Sequence, residues 1–225
     1  MFRRMIFPLL LGIAGTAVLI SLGLWQLERL AWKEGVIAEI EGRIGAAPVA
    51  IPADPAPDRD RYLPVTARGD FTGNDLHVLV STRDQGAGHR IISTLVLEDG
   101  RRVMVDEGYV RRGGELHPGP AEGVTITGNL HWPDEVDRWT PEPDVSEGLF
   151  FARDVPAMAR ALDTEPVLIV ARTIEGTVPR AQAMPVTTEG IPNDHLGYAI
   201  QWFGLAAVWA GMTVWLLWRI RRRQE

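Results

Sequence analysis

Two long apolar runs bracket the chain, and between them the polarity pattern changes character. No side chain from Met5 to Leu24 is charged, and none from Leu196 to Trp218. The second run has 23 residues, about 34 Å of helix at 1.5 Å per residue, enough to cross a bilayer with some tilt. The first run ends in Trp25-Gln26-Leu27-Glu28-Arg29 with no Ala-x-Ala site. It is longer than the apolar core of a cleaved signal peptide, so a retained membrane helix is predicted over 5–25. The second is predicted over 196–218. Pro192 and Asn193 break the chain before it, Asn193 or Asp194 can cap its start, and Arg219, Arg221, Arg222 and Arg223 close it. The first helix is expected to run on past the bilayer, since no breaker occurs before Gly35.

Residues 26–195 form the predicted extracytoplasmic domain, with tails at 1–4 and 219–225. Pro48, Pro52, Pro55 and Pro57 mark an extended connector. Strand signals follow at 62–67, 76–82, 89–97, 102–105, 124–130, 149–151 and 167–174, with a turn-like stretch from Gly69 to Asn74. Asp99-Gly100 between two apolar runs is a hairpin signal. Val155 to Leu162 reads as a short helix with Asp154 as its cap. The expected fold class is therefore an α+β membrane protein. Its two transmembrane helices flank an antiparallel β-barrel or sandwich-like domain with a short helix.

Charge orients this plan. The net charge of −6 divides into −11 between Trp25 and His195 and +5 at the two ends. Basic tails at both ends place both termini in the cytoplasm and the domain outside. No Ser/Arg-rich transit segment precedes the first run, so the expected location is a bacterial inner membrane, with the domain periplasmic. The acidic middle argues against nucleic acid as a partner. The chain has no cysteine, which removes disulfides, thiolate metal sites and cysteine catalysis.

The domain carries no Walker loop, G-x-G-x-x-G or G-x-S-x-G. Its carboxylates fall mostly in turns, and nothing singles out a buried acid pair. His77, His89, His117 and His131 are scattered. A binding or scaffolding module is expected, not an enzyme. The helix ends are more informative. His195, Tyr198 and Trp202 recur at i, i+3 and i+7, so one face carries imidazole, phenol and indole from the surface downward. On the first helix Trp25, Arg29 and Trp32 share a face at the same depth, with Lys33 beside them. An aromatic belt with a snorkelling arginine accounts for that face on residue types alone. The functional alternative is a cationic, aromatic wall for an amphiphilic ligand. An imidazole at the membrane boundary is either a plain interfacial residue or a ligand for a metal or haem iron.

These stretches resemble the Surfeit-locus cytochrome c oxidase assembly factors, called Shy proteins in yeast. The resemblance runs nearly end to end. It is carried by Leu22 to Lys33, by Tyr62-Leu63-Pro64-Val65 with Gly69-Asp70-Phe71, by Val105 to Val110, by Arg153-Asp154 with Met158-Ala159, and most specifically by Pro192 to Ala199 with Trp202-Phe203. Glu107 stands where that family usually has Arg, and Arg111 where it usually has Pro. The resemblance implies a chaperone for the haem-copper oxidase that binds haem a and delivers it to, or retains it near, the main catalytic subunit. Haem a synthase is a further candidate partner beside the lipid bilayer. It implies that His195 ligates the haem iron, with Tyr198, Trp202, Trp25, Arg29, Trp32 and Lys33 lining the site. A scaffold that stabilises an assembly intermediate without touching haem is the alternative.

Overall fold

The computed structural model describes residues 2–82, 84–114 and 121–223. Its elements are α1 (Phe2–Ile44), β1 (Val49–Ala50), α2 (Pro57–Asp60), β2 (Pro64–Thr82), β3 (Gly86–Leu97), β4 (Arg102–Arg111), β5 (Ala121–Leu130), β6 (Leu149–Phe150), α3 (Val155–Leu162), β7 (Leu168–Glu175) and α4 (His195–Arg222). They divide into two compact units. One holds Met1–Glu39 and Thr188–Glu225, the other Ile40–Thr187.

The first unit is an antiparallel helix pair. Both α1 and α4 are long and apolar enough to cross a membrane. Between apolar helices in lipid there is no hydrophobic gain from association, so close packing must supply it. Here α1 offers glycines to the bulk of α4. A Cβ at Gly12, Gly15 or Gly23 would stand 2.1, 2.4 or 2.6 Å from side-chain atoms of Thr213, Trp209 and Phe203. The Trp209 indole N–H donates to the Gly12 carbonyl at 3.2 Å. Gly35 does not end α1. A lone exposed glycine costs a helix only about 1 kcal/mol, and α1 continues to Ile44. There the Asn129 amide, in the sheet domain, donates to the Ile44 carbonyl at 3.1 Å and supplies a partner for the helix end.

The second unit is one seven-stranded sheet in the order β1-β2-β3-β4-β7-β5, with β6 added beside β2. Its strands and short helix lie close to their expected places, but the architecture corrects the antiparallel barrel or sandwich. The sheet is mixed: β1–β2, β2–β6 and β4–β7 are parallel. β2 pairs with both β3 and β5, which brings the path β2-β3-β4-β7-β5 back on itself, but with the parallel β4–β7 link in it the result is not a clean antiparallel barrel. Along β2 the register shifts between Phe71 and Asp75. The Gly69 to Asn74 stretch is thus a bulge inside β2, not a turn between strands. The hairpin at Asp99-Gly100 is formed, with the Gly100 N–H donating to the Leu97 carbonyl at 2.9 Å. Helix α3 starts where Asp154 accepts from the Ala157 N–H at 3.0 Å. It buries Val155, Met158, Ala159 and Leu162, the spacing of one helical face.

Strand β4 is buried on both faces from Val103 to Tyr109. One face joins the core with Val65, Ile92, Leu95, Ile126 and Leu168. The other lies under the segment after β7, where Tyr109 and Gln182 exchange both backbone hydrogen bonds. A further register shift pairs Ile91 with Gly108 but Ile92 with Asp106. Glu107 is the extra residue of this bulge, so Asp106 and Glu107 both turn inward. Gly108 has φ +118°, and a Cβ there would lie 2.0 Å from the Gln182 carbonyl oxygen. Only glycine permits both the bulge and the close crossing.

Candidate functional site

In the helix unit, the mouth of α4 is tied to α1 by side chains. His195 Nδ1 lies 2.8 Å from Gln26 Oε1. In the tautomer protonated at Nδ1 the amide oxygen accepts from the ring, and Nε2 keeps its lone pair. This is how ligating histidines are usually held: one ring nitrogen is fixed by an acceptor while the other faces the metal. Lys33 Nζ donates to the Pro192 carbonyl and pins the lead-in to α4. Asp194 occupies the N-cap position, but its side chain makes no capping bond. The backbone N–H of Tyr198 donates instead to the Asp194 carbonyl at 3.2 Å.

The Arg29 guanidinium stacks over the Trp32 ring at 4.1 Å. Trp25, Trp32 and Tyr198 are exposed, and Trp202 is half-buried. Residues advance about 100° around a helix at each step. Gly15 meets Trp209 and Gly23 meets Phe203, which pairs off the flanks of the two helices. The flank of Gly15 and Trp209 also carries Trp25, Arg29 and Trp32 on α1 and Tyr198 on α4. By helical phase, one side of the pair therefore carries the exposed Trp25, Trp32 and Tyr198 together with Arg29. Sequence reasoning missed Gln26, which is only 9 % exposed. The available signal was its helical phase. It falls in line with Gly12, Gly15 and Gly23, on the face that meets α4, where a polar side chain needs a partner.

The sheet unit holds a second polar concentration under the β4 bulge. Asp106, fully buried, accepts from Arg90 Nε at 2.7 Å and from Arg153 Nη1 at 3.2 Å. Arg153 also pairs with Glu135 at 2.5 Å. Beside it Arg180 bonds Asp75 at 2.7 Å and also Glu107, which Ser93 bonds too. Glu107 thus finds its counter-charge on the covering segment. Asp106 and Glu107 are each held by guanidinium groups, an arrangement that locks the segment after β7 down. Among the described residues, no three His or carboxylate side chains gather as a metal centre.

His131 is strongly perturbed. Burial first, then the charges of Arg153 and Arg61, push it down to about 4. Its ring stacks on Tyr62 at 5.4 Å between centroids. An unfolded histidine takes up its proton near 6.5, so between that value and about 4 the unfolded chain binds more protons than the native one. Stability is full above that window and falls as the pH drops through it, by on the order of 3 kcal/mol in total. Urea midpoints at successive pH values should decline across this range. In His131→Phe the decline should be markedly flatter.

A SURF1 family model matches residues 13–207. The chain belongs to the SURF1 family. Surfeit locus protein 1 of Rattus norvegicus is 31% identical over 236 aligned residues, covering 95% of this chain and 75% of that protein. The Homo sapiens protein of the same name is 31% identical over 211, covering 83% and 70%. The SURF1-like protein of Drosophila melanogaster is 29% identical over 215, covering 85% and 71%. The match takes in His195 and Gln26, so both lie within the part of the chain that defines it as a SURF1 protein.

Proposed function

We propose that this SURF1 protein serves cytochrome c oxidase assembly by holding haem a at the membrane interface, with His195 as iron ligand. A role in oxidase assembly goes with the family; haem a handling is our reading of the site. The observation that carries it is the Gln26–His195 hydrogen bond at 2.8 Å, which orients the ring and leaves Nε2 for iron. The neighbouring residues suit the rest of such a ligand. Trp25, Trp32 and Tyr198 offer flat faces, and Arg29 offers a cation for propionates. Lys33 spends one N–H on Pro192 and keeps two donors for an acidic group. When bound, the haem supplies an iron with an open coordination position and a tail that prefers lipid. The protein binds, orients and releases it, and performs no chemical step. A sparse site suits release, because a carrier must not bind too tightly.

In this reading the helices cross a bacterial inner membrane with both termini cytoplasmic, and the sheet domain is periplasmic, beside the oxidase catalytic subunit. The test is to purify the protein from cells that make haem a and record its absorption spectrum. We expect bound haem a; protein made at normal levels but free of haem would leave a scaffold. Arg29→Ala should lower oxidase haem content a few-fold while the protein stays in the membrane, the size of one partly exposed charge contact. Unchanged oxidase haem in that variant would reduce Trp25, Arg29 and Trp32 to an interfacial belt.

A further inference from the structure

The loop between β5 and β6 exposes apolar side chains in a way that its own bonding makes deliberate. Trp139 is 76% exposed, and Val136 and Val145 are exposed with it. Single exposed apolar residues need no explanation, but three in one hydrogen-bonded loop do. The frame is dense. Asp137 Oδ1 accepts from the Trp139 N–H at 2.8 Å and from the Thr140 hydroxyl at 3.1 Å. Asp144 accepts from the Ser146 hydroxyl at 2.6 Å and exchanges backbone bonds with Leu149. Arg153 anchors Glu135 from below. Val136 stands between two hollows. One of about 360 Å³ is floored by Trp132 and Pro156; the other, about 210 Å³, lies between Pro141 and Phe151.

The charge around this patch is one-sided. Residues 131–154 contain seven Asp or Glu and two Arg. Arg153 is committed to Glu135 and Asp106, and Arg138 lies over the Trp139 ring at 4.8 Å. Arg61 stands on the rim of the larger hollow. Asp134, Glu142 and Glu147 make no ion pair among the described residues. Backbone and hydroxyl donors also hold Asp137 and Asp144 below the usual carboxylate range, so both stay charged.

We propose that this loop is a docking surface for a basic segment of a partner protein, anchored by an aliphatic or aromatic side chain in the hollows beside Val136. An apolar centre with sockets, rimmed by charge, is the anatomy of a protein interface. The acidic rim selects Lys or Arg on the partner and steers its approach. It disfavours an anionic membrane surface, which attracts basic residues. The inference is independent of the haem reading, because every residue it uses lies in the sheet unit.

The test places a photo-cross-linking amino acid at Val136 of the full chain, in membranes that contain the oxidase, and identifies cross-linked peptides by mass spectrometry. The expected product joins Val136 to a protein segment of net positive charge. Its yield should fall roughly fivefold or more in Trp139→Ser and in Glu142→Lys, and should weaken in about 0.5 M salt. Both positions are exposed, so these variants should keep the native urea midpoint. The same cross-linker at Val178, exposed elsewhere on the unit, should not give this product. Haem content, read in the same samples, should be unchanged, which separates this result from the fate of the haem site. Cross-links only to lipid, to a second copy of the chain or to a segment without Lys or Arg would overturn the proposal. So would no cross-link, or a yield indifferent to Glu142→Lys.

Discussion

His195→Ala should strip the protein of haem a while leaving the helix pair in the membrane. Insertion depends on the apolar runs, which the substitution leaves intact. The packing of α1 on α4 rests on Gly12, Gly15 and Gly23 against Thr213, Trp209 and Phe203, away from the imidazole. What is lost is the iron ligand, and contacts through Trp25, Trp32 and Tyr198 cannot replace a coordinate bond. Gln26→Ala makes a graded comparison. It keeps the ligand but frees the ring to rotate, and removal of such orienting partners typically costs 10- to 100-fold in metal affinity. The expected order of bound haem per protein is wild type, then Arg29→Ala, then Gln26→Ala, then His195→Ala, with the last below detection. A His195→Ala protein, made at normal levels, that carries haem a with an unaltered spectrum would sink the assignment.

Much of this frame is legible in the residues. The two uncharged runs become α1 and α4, Asp154 caps α3, and Asp99-Gly100 turns the hairpin, because each follows from local rules of polarity, capping and turn chemistry. The bulges are not legible. A strand pattern predicts alternation, so Asp106 and Glu107 as neighbours read as one inward and one outward side chain. The register shift opposite Ile91 and Ile92 turns both inward, and it depends on pairing with β3, which no local signal announces. The same holds for the parallel β4–β7 pair, joined across nearly 60 residues of intervening chain. At the candidate site, helical phase groups Trp25 with Arg29 and Trp32. The partnership of Gln26 with His195 spans 169 positions, and only the contact of two helices creates it.

Asp106→Ala should be the most destabilising single change in the sheet unit. Its carboxylate is fully buried and faces Arg90 and Arg153, both nearly buried themselves. Removing one partner of such a cluster leaves uncompensated charge in a poorly solvated place, which typically costs 3–5 kcal/mol. The two arginines are not equally stranded. Arg153 keeps Glu135, whereas Arg90 keeps, among the described residues, the Met184 carbonyl at 2.9 Å and the Met184 sulfur. The neutral isostere Asp106→Asn should therefore also fail, since shape is preserved but charge is not. Arg90→Met combined with Asp106→Ala should recover part of the loss, because it removes one of the stranded cations. Arg68 and Glu98 supply the contrast. They form an exposed pair at 3.6 Å, and exposed pairs contribute about 0–1 kcal/mol. Urea midpoints of the full chain should then fall steeply for Asp106→Ala and hardly move for Arg68→Ala. Equal midpoints would mean that the buried carboxylate contributes no more than a surface one.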